Sequence, residues 1–233
     1  MKFYLYKSFY FLYSKNFKKK IIYLFIYSKI MTSEFKDIKL LEARKEGGMP
    51  LFEALKTRKS DRQYTPGKEL PLQQISEILY CAYGFNDPNT EHRTVASGMS
   101  VFPLLVYAVL PNGIYQYIPK ENMLKALKQG DYMEKTGRQP FVKNASMTLL
   151  FYSDPDIKAK NEYIAKYYDA TSQEEKNKWA DIEVGFACQN IYLYCASEKL
   201  KVLVRAWCDG EFFKKELGLP KNYRFILSQS IGI

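Results

Sequence analysis

Two apolar segments separated by an Asn-Gly dipeptide constrain the fold of this chain most strongly. Residues 102–110 form a short apolar run rich in Val and Leu, which is typical of a buried strand. Asn112-Gly113 follows, and residues 114–118 form a second strand-like segment. Because both turn positions of a tight hairpin favour positive φ, Asn-Gly predicts a turn here. We therefore expect at least one antiparallel pair of strands.

Helical and strand-like segments fill most of the remaining chain. Pro50 and Pro71 suit the first turns of helices, because the N–H that proline lacks would be unpaired there. Asp209 predicts the N-cap of a short helix that ends at Leu217. Further patterns predict helices over residues 51–57 and 174–198 and strands over residues 147–152, 201–207 and 223–230. This mixture predicts an α+β fold, with a mixed, mostly antiparallel sheet flanked by helices.

Several kinds of site are disfavoured by what the sequence lacks. It contains neither G-x-G-x-x-G nor a P-loop, which argues against a Rossmann dehydrogenase or a P-loop NTPase. His92 is the single histidine, so a site with several histidine ligands is excluded and a Ser-His-Asp hydrolase is disfavoured. None of the cysteines forms a C-x-x-C pair, and we expect free thiols at Cys81, Cys188, Cys195 and Cys208.

The formal net charge of +10 comes mainly from the N-terminus. Residues 1–30 contain seven lysines and no Asp or Glu, so removing these seven from the 35 Lys and Arg leaves 28 basic against 25 acidic residues, or +3. That balance predicts no nucleic-acid partner for the rest of the chain.

The N-terminal segment has three interpretations. It could be an export signal, but Lys18-Lys19-Lys20 divides its apolar residues. It could lie on a membrane surface, although its apolar run is too short to span one. It could also precede the true start at Met31, in which case we expect a cytoplasmic protein. Residues 31–48 are polar and end in Gly47-Gly48, so we predict an extension or arm over residues 1–48 and a single domain over residues 49–233.

A basic segment follows the first predicted helix. Arg58, Lys59, Ser60 and Arg62 place three cations and a hydroxyl within five residues. Guanidinium groups form paired hydrogen bonds with phosphate oxygens, so such a cluster favours a phosphate site. The alternative is a solvated, charged helix end.

Two further segments have the composition of ligand contacts. Residues 94–100 are mostly small, which lets a flat ligand approach the backbone; the alternative is an ordinary loop. In the long helix, Gln189 and Asn190 are polar residues among apolar ones, and their amides are expected to bond neighbouring backbone.

The order of these motifs resembles the nitroreductase family. The series is R-x-S-x-R after a helix, a small-residue S-G loop, a hairpin, a G-x-x-x-Q-N helix and a closing Ile-Gly. It is most similar to the SagB-type branch, the oxidase subunits of thiazole/oxazole-forming systems, and it extends over residues 50–233. The resemblance implies a nitroreductase-like fold, an intertwined homodimer and FMN as cofactor.

Site residues follow from the same resemblance. It implies that Arg58, Ser60 and Arg62 hold the FMN phosphate and that Lys59 contributes. It implies that a loop from the other subunit reaches the flavin ring and that backbone N–H groups approach the reactive nitrogen of the flavin. The matching residues are Ala96, Ser97, Gly98 and Ser100 for the loop, and Arg205, Ala206 and Trp207 for the backbone groups.

The implied activity is electron transfer from NAD(P)H to a small acceptor, such as a nitroaromatic compound or a quinone, by a ping-pong mechanism. No side chain is assigned a catalytic role, because the flavin performs the chemistry. Tyr83, Phe85 and Trp207 could shape the space above the ring, or they could be core residues. The alternatives are a peptide-heterocycle (azoline) dehydrogenase and a non-catalytic flavin-binding protein. Lys201 is followed by Val202, so the Lys-Tyr pair of azoline-oxidising relatives is missing.

Overall fold

Seven strands form one sheet in the computed structural model, which describes residues 35–87, 90 and 92–233. The strand order is β1-β4-β3-β2-β5-β7-β6, and every neighbouring pair is antiparallel. The predicted α+β class is confirmed, with an antiparallel rather than a mixed sheet among the described residues. The strands are β1 (Ile38–Lys39), β2 (Leu104–Leu110), β3 (Gly113–Ile118), β4 (Met123–Gln129), β5 (Met147–Ser153), β6 (Lys201–Arg205) and β7 (Arg224–Gly232).

The predicted hairpin is confirmed, but its turn lies one residue earlier than expected. Leu110 pairs with Gly113, so Pro111 and Asn112 are the turn residues. None of Pro111, Asn112 and Gly113 has a positive φ. The proline ring fixes a negative φ at the first turn position, which excludes the turn type that Asn-Gly favours.

Helices cover both faces of the sheet. Ser172 caps the long helix α4 (Gln173–Ser197) by accepting a hydrogen bond from Glu175 N. The inner side of α4 buries Val184, Ala187 and Ile191 completely, each worth about 1–3 kcal/mol of apolar burial. On the opposite face, Tyr152 donates to Gly210 O at 2.7 Å at the start of the short helix α5. The helices are α1 (Leu51–Thr57), α2 (Leu72–Tyr83), α3 (Glu162–Ala170), α4 (Gln173–Ser197) and α5 (Gly210–Glu216).

The compact unit begins at Lys36, so residues 36–48 of the predicted arm belong to it. Strand β1 pairs with β4, and Arg44 forms ion pairs of 2.6 Å with Glu77 and 2.7 Å with Glu198. The interpretations of residues 1–30 and of Met31 lie outside the described residues. None of the helices in the described part of the chain is both long enough and apolar enough to cross a bilayer.

All four cysteines are free thiols. Cys188 and Cys195 are buried, and Cys81 and Cys208 are half-buried.

Candidate functional site

The basic segment, residues 58–62, starts where helix α1 ends. Arg58 N donates to Ala54 O at 2.9 Å, and the chain then becomes extended. The Arg58 guanidinium lies 5.3 Å from the centre of the Tyr192 ring. Lys59 forms a 3.2 Å ion pair with Asp61, but its side chain remains 76% exposed. Ser60 and Arg62 are also exposed, so the segment presents its cations and its hydroxyl at the surface.

Tyr192 connects the basic segment to the edge of the sheet through hydrogen bonds. Its hydroxyl lies 2.8 Å from Ser60 Oγ and accepts a hydrogen bond from Val204 N at 3.0 Å. Asp61 N donates to Val202 O at 3.0 Å, which makes a second connection to β6. The sequence reasoning missed Tyr192, because a tyrosine in an apolar helix resembles an ordinary core residue.

A cavity of about 470 Å³ opens beside this junction. It is lined by three lysines, Lys59, Lys199 and Lys201, with Glu53 and Asp61 as the acidic residues. The backbone N–H of Gln63 lowers the pKa of Asp61, and the charges of Lys59 and Lys201 lower it further. The cavity falls in the size range of small-ligand sites, and its excess of ammonium groups favours an anionic ligand.

The small-residue loop is strained in this structure. Met99, Ser100 and Phe102 have φ angles of 53°, 55° and 57°, values that L-residues adopt at a cost of about 1 kcal/mol or more each. Ser97 Oγ accepts a hydrogen bond from Phe102 N at 2.9 Å, which closes the loop upon itself. We call residues 96–102 the strained loop.

The strained loop packs tightly against helix α4. A Cβ added to Gly98 would lie 3.0 Å from the ring of Trp179, so a larger residue here would have to displace that ring. Ala96 and Ser100 are exposed, while Ser97 and Gly98 are half-buried. The loop therefore combines surface access with a conformation that only its surroundings maintain, a combination that is typical of functional segments.

A buried carboxylate, which the sequence reasoning also missed, lies beneath the strained loop. Glu183, in the middle of α4, is 1% exposed. Tyr83 donates to Glu183 Oε1 at 2.8 Å, and the same hydroxyl accepts from Leu104 N at 3.1 Å. Burial raises the pKa of Glu183 to about 7, although Ser97, Tyr83 and the charge of Arg93 act to lower it.

The third predicted segment, residues 205–207, continues from β6. Ala206 and Trp207 are exposed, and Trp207 is 65% exposed. The Arg205 side chain instead enters the core, where Nη2 donates to Thr136 O at 2.9 Å and to Ser230 Oγ at 2.7 Å. From this segment, only backbone groups and the two exposed residues can meet a ligand at the surface.

The structure joins two of the three predicted segments directly. The basic segment meets β6, which leads into residues 205–207, through Asp61 and Tyr192. The strained loop instead meets α4 at Trp179 and Glu183, which precede Tyr192 by thirteen and nine residues.

Other candidates are mainly structural. Asn190 Nδ2 donates to Cys81 O and Thr94 O at 3.2 and 3.0 Å, as expected for an amide that bonds backbone. Gln189 is exposed. Tyr83 is 2% exposed and is a core residue, and Phe85 stacks with Arg93, whose guanidinium lies 4.5 Å from the ring centre.

Comparison with known proteins gives one family. The model of the Nitroreductase family matches residues 55–233. None of the curated proteins matches the chain significantly.

Solved structures include a protein from Ralstonia eutropha JMP134, assigned as a nitroreductase. It is 32% identical to this chain, with a TM-score of 0.75 over 86% of this chain and 90% of the other. The E. coli microcin synthetase McbBCD complex with truncated pro-MccB17 shares the fold at 16% identity, with a TM-score of 0.60 over 88% of this chain and 80% of the other. A protein from Exiguobacterium sibiricum 255-15, assigned as a nitroreductase and solved with FMN, shares it at 11% identity, with a TM-score of 0.58 over 81% and 90%.

Proposed function

This chain belongs to the nitroreductase family, and from that premise we propose that it is an FMN-dependent oxidoreductase that transfers electrons from NAD(P)H to a small acceptor. The observation that carries the proposal is the basic segment, whose exposed cations and hydroxyl are fastened to the sheet edge through Tyr192. One relative with this fold was solved with FMN, which agrees with the proposed cofactor.

The donor groups of the basic segment fit a phosphate monoester. Arg58 and Arg62 can form paired hydrogen bonds with phosphate oxygens, and Ser60 can donate one more. Lys59 projects into solvent beside the cavity that Lys199 and Lys201 also line. These six side chains would hold the dianionic end of FMN without burying an unpaired charge.

The flavin ring would lie between the end of β6 and a strained loop supplied by a second copy of the chain. Ala206 and Trp207 are exposed at the first of these sites, and Ala96 and Ser100 at the second. Flat rings require close backbone approach, and Gly98 and its small neighbours permit it.

We propose that the second copy packs on the exposed apolar side chains of two helices. Phe52 is 85% exposed and Leu51 60% exposed on α1, and Ile182 is 54% exposed and Phe186 47% exposed on α4. Large contiguous apolar surfaces on a soluble domain are typical of protein interfaces. Phe186→Ser together with Ile182→Ser should convert a dimer to a monomer in sedimentation experiments.

When bound, FMN would supply the redox chemistry, accepting a hydride from a reduced nicotinamide and then reducing a quinone or nitroaromatic compound in a second half-reaction. The chain's own residues would bind and orient the cofactor. The contribution of Trp207 would be a flat apolar surface that helps to exclude water from the ring.

The proposal is tested by FMN binding to the purified protein. We expect wild-type protein to bind FMN, to show its visible absorption bands and to lose them on anaerobic addition of NADPH. Arg58→Ala with Arg62→Ala should weaken FMN binding by about two orders of magnitude, because two charge-assisted contacts are lost. Lys56→Ala with Lys68→Ala removes two exposed positive charges elsewhere and should leave binding unchanged. Protein that stays colourless with excess FMN would refute the proposal.

A further inference from the structure

Helix α4 buries a carboxylate where an apolar side chain would pack at lower cost. Glu183 lies among the core residues Ala180, Val184 and Ala187, all of which are nearly inaccessible to solvent. Burying a carboxylate away from a strong partner is unfavourable, so its presence requires a compensating role. The charge of Arg93 lowers the pKa of this carboxyl, while its guanidinium stacks on aromatic rings and donates to Tyr83 O at 2.8 Å.

The polar partners of Glu183 are hydroxyl groups that lead to the strained loop. Tyr83 donates to Oε1, and its oxygen then accepts from Leu104 N at the start of β2. Ser97 interacts with the carboxylate, and its oxygen accepts from Phe102 N. Through these two hydroxyls, one carboxylate contacts both ends of the segment that contains the three positive φ angles.

One oxygen of the Glu183 carboxylate is available to accept a further hydrogen bond. Among the described residues, Glu183 Oε2 is buried and makes no hydrogen bond, and Ser97 is the hydroxyl that lowers the pKa of this carboxyl most. An ionised carboxylate attracts a hydroxyl donor about twice as strongly as a neutral acceptor does. Ionisation of Glu183 would therefore strengthen its hold on Ser97 and on the strained loop.

We propose that Glu183 is a positioning residue that holds the strained loop in its ligand-binding conformation through Ser97 and Tyr83, and that it does so best when ionised. This inference rests on the proposed function, because the ligand that the loop contacts is taken to be FMN. The inference predicts that FMN binding depends on pH within the neutral range, since burial raises the pKa of Glu183 to about 7. The groups that face this carboxyl are Tyr83 from α2, Arg93 and Ser97 from the loop region, and Tyr168 from α3.

Two measurements test the inference, and the first needs no cofactor. The sequence contains two tryptophans, Trp179 and Trp207. In a Trp207→Phe background, the remaining fluorescence reports on Trp179, whose ring contacts Gly98 in the strained loop. We expect its emission to change with a midpoint near pH 7, and we expect Glu183→Gln to abolish the change.

The second measurement is the FMN dissociation constant at several pH values, determined with the natural tryptophans in place. Wild-type protein should bind FMN roughly fivefold more tightly at about pH 8.5 than at about pH 6. Glu183→Gln should lose this difference except for the part that ionisation of the FMN phosphate, whose second pKa is about 6, contributes to both proteins. Glu174→Gln on the exposed start of α4 and His92→Gln, which removes the single histidine, are controls that should keep the wild-type profile.

The outcomes separate this inference from the proposed function. If wild-type protein does not bind FMN, the proposed function fails, while the fluorescence midpoint still tests Glu183. If FMN binds but wild type and Glu183→Gln have the same pH profile, or binding is tighter at acidic pH, the positioning role is wrong. Circular dichroism tests whether Glu183→Gln is folded, and Tyr83→Phe, which removes one of the two hydroxyls, should give an intermediate profile.

Discussion

Removing the hydroxyl of Tyr192 tests how the basic segment is held to the sheet. Tyr192→Phe deletes one oxygen and keeps the ring, which is 9% exposed and packs in the core. The deleted oxygen lies 2.8 Å from Ser60 Oγ and accepts from Val204 N at 3.0 Å. The substitution therefore removes the contacts that join α4 to Val204 and to Ser60 without opening a large cavity, while the bond between Asp61 N and Val202 O remains.

The two lost hydrogen bonds differ in their effect. Ser60 is exposed, so its hydroxyl can bond to water in the variant. Val204 is half-buried in β6, the edge strand of the sheet, and its N–H would lose its partner under the Tyr192 ring. An unsatisfied buried donor costs about 1–3 kcal/mol, so we expect the free energy of unfolding to fall by about 1–2 kcal/mol. For a domain of this size, that loss corresponds to a decrease in Tm of roughly 2–8 °C.

Urea unfolding and FMN binding together measure this effect. Tyr163→Phe removes a hydroxyl from a residue that is 71% exposed, and it should change neither quantity. Tyr192→Phe should also weaken FMN binding by roughly threefold to tenfold, because Ser60 is no longer fixed. In a double-mutant cycle, Ser60→Ala and Tyr192→Phe should be non-additive for FMN binding, since each removes the same contact. If Tyr192→Phe matches Tyr163→Phe in both assays, the reasoning is refuted.

Three further predictions concern the pH, core and surface of the domain. Burial alone would raise the pKa of Glu77, but hydrogen bonds from Arg44, Tyr194 and Gln73 lower it to about 2. Its stabilisation is thus present above an unfolded pKa of about 4.3 and is lost toward pH 2, where wild type should lose on the order of 2 kcal/mol of unfolding free energy; Glu77→Gln should therefore make the acid limb of the Tm–pH curve shallower. Gly137→Ala would place a Cβ in steric overlap with Nη1 of the buried Arg205 and should lower the urea midpoint, at a cost of about 1–3 kcal/mol. In Gly185→Ala, the added Cβ meets no atom within 4 Å in one chain, so it would contact only the second copy in the proposed dimer. Sedimentation should show a weaker dimer, although the helix itself gains about 1 kcal/mol of stability.

The helices and strands that could be predicted are those whose residue pattern lies within the element itself or next to it. Pro50 fixes the start of α1, and the apolar residues of β2 and β5 are central in the sheet. Strand β4 received no prediction, because its sequence MLKALKQ contains strong helix formers and becomes a strand only through pairing with β3. Helix α3 was also missed, since its exposed tyrosines do not form an apolar stripe.

The residues that organise the candidate site could not be identified from local patterns. Tyr192 meets Ser60 across 132 positions, and Glu183 meets Tyr83 across 100. Side chains at such separations meet only after the sheet and α4 have formed. The basic segment could be identified because its charge pattern is local, whereas its anchor could not.

Helix α4 connects both parts of the candidate site, and its geometry supports the proposed dimer. Nine residues separate Glu183 from Tyr192, which at about 100° per residue is about 900°, or half a turn beyond two complete turns. The two residues therefore lie on opposite flanks of α4 and about 13.5 Å apart along its axis, at about 1.5 Å per residue, so the strained loop and the basic segment of one copy contact well-separated parts of the helix. An exposed stripe runs between the flanks and contains Ile182, Gly185, Phe186 and Gln189. A second copy packed on this stripe around a two-fold axis would turn its own loop toward the first copy's basic segment, so each proposed FMN site would need residues from both copies.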